Sequence, residues 1–119
     1  MLKKISINKD ISIAKTMPSN YYLNNDYYKL SIDKIFKNSW QIITHKNSLK
    51  LKIYPFIFLE DSINEPLLLT LKKGKYTCLS NVCTHRGNLL FSKPSKSNNI
   101  HCKYHGRVFD LKGNFLSCP

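Results

Sequence analysis

Arginine is scarce in this 119-residue chain. Seventeen of its nineteen cations are lysines, and the two arginines are Arg86 and Arg107. Acidic residues are also few, seven against nineteen bases, which gives a formal net charge of +12. The lysines stand singly or in pairs with no block of five or six, so the charge describes a solvated surface and marks no nucleic-acid-binding tract. Lys, Asn and Ile are abundant together, as AT-rich coding produces. No run approaches the roughly 18–20 apolar residues that a membrane span requires. The opening MLKKISINKD has bases but no apolar core or small-residue cleavage site, so no secretory signal is read and a cytoplasmic location is expected. There are no internal repeats and no low-complexity segments. Four cysteines in such a context point to metal or redox chemistry before disulfides. The length allows one small domain, and a 42% hydrophobic content is that of a globular chain.

The four glycines fall at Gly74, Gly87, Gly106 and Gly113. Gly74 and Gly113 lie in expected hairpin turns, one at Lys72–Gly74 between PLLLTL and KYTCLS, the other at Lys112–Gly113 between VFDL and NFLS. Before them, Ile5, Ile7, Ile11 and Ile13 alternate weakly, as a frayed arm or edge strand would. Asn24 and Asn25 can cap, and Tyr27, Tyr28, Ile32, Ile35 and Phe36 recur at helical spacing, so one or two short helices are expected over 25–38. WQIITH (40–45), KIYPFIFLE (52–60), PLLLTL (66–71) and KYTCLS (75–80) read as short strands, with Pro55 placing the second at an edge or a bulge. SKPSKSNN (92–99) is a polar loop. Cys78 is read as a small buried hydrophobe, Cys118 as a free thiol, and Trp40 with the Tyr and Phe set as core.

The remaining two glycines each stand close behind a histidine. NVCTHRGNLL places Cys83 and His85 two apart, CKYHG places Cys102 and His105 three apart, and sixteen residues separate the pairs. Each arginine follows one of these histidines, so a planar guanidinium is wanted there in a chain that otherwise uses lysine. A [2Fe–2S] centre with two thiolates on one iron and two imidazoles on the other needs such a supply, each loop giving one ligand to each iron. Gly87 and Gly106 give the loops positive φ, or room for backbone amides to approach sulfur. Cys₂His₂ is also a tetrahedral zinc set, but zinc fingers usually pair Cys with Cys and His with His, whereas both pairs here are mixed.

At these residues the chain resembles the Rieske iron–sulfur family. Cys-x-His-Arg-Gly followed by Cys-x-Tyr-His-Gly is most similar to the N-terminal domain of Rieske non-haem iron oxygenase large subunits, the ring-hydroxylating oxygenases. PSNYY (18–22), KIFKNSW (34–40), LSNVCTHRG (79–87) and DLKGNFLSCP (110–119) look like the same region, so the likeness covers about 100 residues. It implies a mostly β fold: a small antiparallel Rieske-type β-sandwich with two cluster-binding loops, preceded by one or two short helices. Residues 1–38 would form an N-terminal arm with the helices, and 39–119 a [2Fe–2S] domain truncated at its C-terminal end. Cys83 and Cys102 would hold the inner iron, His85 and His105 the outer one. The extra cysteines that bridge the loops in respiratory Rieske proteins are replaced by Asn88 and Tyr104, which, with few donors near sulfur, belongs to low-potential oxygenase-type centres. Tyr104, between two ligands, either hydrogen-bonds near the cluster or simply packs. Arg107 stands where many oxygenases have Trp.

The implied function is one-electron transfer as the N-terminal part of an oxygenase large subunit, with a ferredoxin or flavin reductase as donor and a mononuclear-iron catalytic domain as acceptor. That iron takes two histidines and a carboxylate. Only His45 and His101 are left over, and His101 points away from its neighbour Cys102, so no catalytic residues are expected in this chain. The alternatives are a complete Rieske-type ferredoxin, which the length favours and the 18–40 segment opposes, and a zinc-binding interaction module. The oxygenase's substrate, the oligomeric state and the physiological donor are not legible in these residues.

Overall fold

The computed structural model describes residues 5–119, arranged in two compact units that divide between Ile42 and Ile43. In the first unit, Pro18 sets an extended entry to α1 (Ser19–Leu23), a one-turn helix that the spacing of apolar residues did not announce. Helix α2 (Asn25–Lys34) begins where expected: the Asn24 side chain accepts from the Asp26 amide at 2.7 Å, with Asp26 in the first turn and Lys34 in the last. Tyr27 is its buried residue and stacks at a tilt on Tyr21, with ring centres 4.7 Å apart. A 3₁₀ turn over Phe36–Asn38 follows.

The strand expected over 40–45 is absent. The segment has no strand partner among the described residues, and Trp40 and Ile42 are fully exposed. Aromatic and β-branched residues favour a strand only where a neighbouring strand and a packed face receive them, and this segment has neither.

The second unit carries two three-stranded antiparallel sheets. The first has the order β1 (Ile53–Phe58), β2 (Glu65–Lys72), β3 (Lys75–Ser80); the second has β4 (Asn99–His101), β5 (Val108–Asp110), β6 (Phe115–Ser117). Pro55 lies in β1, an edge strand as its missing N–H requires. Lys73 and Gly74, both at positive φ, make the tight turn between β2 and β3, and the second hairpin turns through Gly113. Ile53 and Leu68 from the first sheet meet Ile100 and Phe109 from the second, with Leu90 and Leu111, in one core that also takes in Cys83 and Cys102.

Thr70 joins the sheets. It is 1% exposed, and its hydroxyl donates to the Leu111 carbonyl at 2.6 Å. The polar loop is anchored too, because Ile53 and Ser95 exchange both backbone hydrogen bonds. Cys78 does not lie in the core. The period-two alternation of β3 is as expected but its phase is inverted: Thr77 and Leu79 face inward, while Tyr76, Cys78 and Ser80 are exposed.

Candidate metal centre

Each metal-motif loop follows a strand, β3 or β4, and turns back through a glycine. In the first, the Cys83 amide donates to the Asn88 carbonyl at 2.8 Å and the Gly87 amide to the Cys83 carbonyl at 3.0 Å. In the second, the Cys102 amide donates to the Arg107 carbonyl at 2.8 Å and the Gly106 amide to the Cys102 carbonyl at 3.0 Å. The two loops are therefore the same turn, closed four and five residues after the cysteine, although the histidine sits at the second place in one and the third in the other. Gly87 and Gly106 take φ of +68° and +69°, the left-handed region that costs other residues about 1–2 kcal/mol. At Gly106 a Cβ would also stand 2.7 Å from Pro119, so the chain following β6 packs directly on this loop.

The thiols and imidazoles separate by depth. Cys83 and Cys102 are 2% and 3% exposed within the core, whereas His85 is exposed and His105 half-buried at the surface. The two imidazole centres are 4.8 Å apart, and the Tyr104 ring stacks on His105 at 3.7 Å. Tyr104, 56% exposed, thus packs, and no hydrogen bond from its hydroxyl is found among the described residues. Burial pushes the Cys102 thiol up. The Tyr104 and His105 amides, the Cys83 side chain and the Asn88 amide outweigh this and hold it below the ordinary value. His85 is lowered by burial first, then by the charges of Arg107, His105 and Arg86, a shift in the direction of the neutral imidazole. Both shifts favour the ligand forms, thiolate and neutral imidazole.

Two asparagines complete the site, and sequence reasoning gave neither a positive role. Asn88, taken only as the absence of a bridging cysteine, donates its side-chain amide toward Cys102 Sγ at 3.8 Å. Donors near sulfur are therefore less scarce than the lost bridge implied. Asn81, 3% exposed, clamps Phe91 from both sides: its Nδ2 donates to the Phe91 carbonyl at 2.7 Å and its Oδ1 accepts from the Phe91 amide at 2.9 Å. This fixes the stem of the first loop two residues before Cys83. The only available signal was an asparagine where a strand runs into a ligand.

His45 lies far from these loops in the chain, and His101 directly precedes Cys102. His45 caps a 3₁₀ turn, its Nδ1 accepting from the Asn47 amide, and His101 ends β4 exposed. Among the described residues, no three His, Cys, Asp or Glu side chains gather as a single ion would need. Two buried thiols and two imidazoles nearer the surface are the ligand types that a mixed nitrogen- and sulfur-ligated two-iron cluster takes.

The sequence profile described as the Rieske [2Fe-2S] domain matches residues 39–119. The chain belongs to the Rieske [2Fe–2S] domain family. The cofactor of this family is a Rieske-type [2Fe–2S] cluster, and the donor set just described fits it. Among curated relatives, choline monooxygenase of Amaranthus tricolor is 31% identical over 103 residues, covering 85% of this chain and 23% of that protein. The chlorobenzene dioxygenase subunit alpha of Cupriavidus sp. (strain PS12) is 28% identical over 101 residues, covering 82% and 22%. The solved structure of the quaternary ammonium Rieske monooxygenase CntA superposes with a TM-score of 0.74 at 26% identity, covering 86% of this chain and 28% of that one. The chain thus spans about a quarter of the length of the curated relatives it matches. It shares with these oxygenase subunits the mostly antiparallel β fold and the cluster domain.

Proposed function

We propose that Cys83, His85, Cys102 and His105 hold the cluster and that the chain is the electron-transfer portion of a Rieske oxygenase large subunit. The observation that carries this is the matched pair of loops, with thiols in the core and imidazoles at the surface. The bound cluster accepts and gives up one electron at a time. Cys83 and Cys102, both buried, would hold one iron away from water, and the amides of Tyr104, His105 and Asn88 offset negative charge on Cys102 sulfur. His85 and His105, whose rings stand together nearer the surface, would hold the other iron where a redox partner can approach.

On this reading residues 1–38 are a lead-in and 39–119 the cluster domain. The donor is a ferredoxin or flavin reductase, and the acceptor is a mononuclear iron in a catalytic domain. The setting is cytoplasmic, and no helix among the described residues is long and apolar enough to cross a membrane. A stand-alone Rieske-type carrier is the second reading, favoured by the gathering of both loops and their core within the single unit Ile43–Pro119.

The test is to give the iron-loaded chain a reductase, ferrous iron and candidate aromatic or quaternary-amine substrates. Cluster reduction without oxygenated product is expected of this chain alone. Product formation that survives removal of contaminating oxygenases would overturn the reading. An in-frame catalytic domain in the gene, joined to this chain in a product that oxygenates substrate, would favour the oxygenase over the carrier.

A further inference from the structure

Arg107 closes the second loop. Its carbonyl accepts the Cys102 amide, and its guanidinium carbon lies 5.7 Å from the centre of the Phe115 ring on β6. Phe115 itself meets the core residue Phe109 edge-on, with ring centres 6.0 Å apart, so the cation lies against an aromatic pair. Arg107 Nε is enclosed and meets no acceptor. The ion pairs among the described residues are Lys37–Asp33 and Lys72–Asp110, so no carboxylate neutralises Arg107. A guanidinium does not lose its charge in a protein.

We propose that Arg107 sets the cluster's reduction potential: its uncompensated cation, held on Phe115 beside the second loop, favours the reduced state. Reduction adds one electron and hence one negative charge at the cluster, and a fixed positive charge nearby stabilises that product over the oxidised form. The effect raises a potential that the missing inter-loop disulfide would leave low, which gives a lysine-rich chain a reason to place a rigid, permanently charged group here. The inference rests on the proposed assignment of the cluster to Cys83, His85, Cys102 and His105.

The experiment is a redox titration of the iron-loaded protein, followed by visible and EPR spectra, for wild type, Arg107→Met, Arg107→Gln and Arg107→Lys. A unit charge within about 12 Å at an effective permittivity of about 20 shifts a one-electron equilibrium about ten-fold, which is about 59 mV. Arg107→Met and Arg107→Gln are therefore expected to lower the reduced-to-oxidised ratio at a fixed applied potential about ten-fold. Arg107→Lys, which keeps the charge, is expected to restore most of it. Two neutral variants within two-fold of wild type, with the cluster spectrum intact, would overturn the role. So would a lysine variant as low as the methionine one, because packing and not charge would then be responsible. A wild-type protein with no two-iron spectrum would instead overturn the cluster assignment on which the inference stands.

Discussion

Replacing Asn81 by alanine removes the side chain that hydrogen-bonds both backbone groups of Phe91 across the stem of the first loop. Two hydrogen bonds, at 2.7 and 2.9 Å, disappear together, and both backbone groups of a partly buried residue are left without a partner. At about 1 kcal/mol for each net hydrogen bond, with a further charge for the unpaired groups, the loss is about 2–4 kcal/mol, a large share of a small domain's stability. Because Asn81 lies two residues before Cys83 and its own carbonyl receives the Leu90 amide at 2.9 Å, iron retention should fall along with stability.

Asn81→Asp sharpens the test. At neutral pH it can still accept from the Phe91 amide, but it places a buried carboxylate against the Phe91 carbonyl. Once protonated, its hydroxyl can donate to that carbonyl as the amide did. The deficit of this variant relative to wild type should therefore shrink as pH falls through the raised carboxyl pKa. Guanidinium denaturation and iron analysis of both variants would measure this. An Asn81→Ala protein less than about 1 kcal/mol destabilised that keeps its full iron would refute the reasoning.

Further outcomes can be checked with the same preparations. Asn88→Leu, which takes a donor from Cys102 sulfur, should lower the reduction potential in a redox titration without loss of iron. Gly87→Ala and Gly106→Ala should each cost about 1–2 kcal/mol from φ strain in denaturant titrations. Gly106→Ala should cost more, because its Cβ also meets Pro119, and Pro119→Gly should remove that excess. Burial pushes the Asp110 carboxyl up, but the Asn114 and Lys112 amides, the Asn114 side chain and Lys72 bring it down to about 2. With the folded pKa lowered, the unfolded chain binds the extra proton. The contribution of Asp110 is thus full above the unfolded value of about 3.9 and is lost as pH falls toward about 2. Asp110→Asn should flatten the acid limb of the stability–pH curve in that window.

The paired loops were legible in the sequence because their backbone is set locally: cysteine, histidine and glycine all lie within a few residues. The hairpin turns at Lys73–Gly74 and Gly113 and the edge position of the Pro55 strand were legible for the same reason, each following from one residue's backbone constraint. The errors arose where the answer depended on a distant partner. WQIITH has strand composition but no strand to pair with. Cys78 obeys the alternation of β3, yet which face of that strand is covered depends on the second sheet and the loops that pack there. Asn88 and Asn81 act on atoms of Cys102 and Phe91, 14 and 10 residues away, and an isolated asparagine gives no sign of what it will meet. The one-turn α1 lies below the length at which apolar periodicity can be read.

The most direct test of the central claim is the EPR spectrum of the dithionite-reduced protein alongside its iron content, for wild type, Cys83→Ser and Cys102→Ser. A red-brown wild type with two irons per chain and the low average g-value of a mixed nitrogen- and sulfur-ligated cluster, abolished in both variants, is the predicted result. A colourless chain carrying one zinc, or a serine variant that keeps a full cluster, would contradict it.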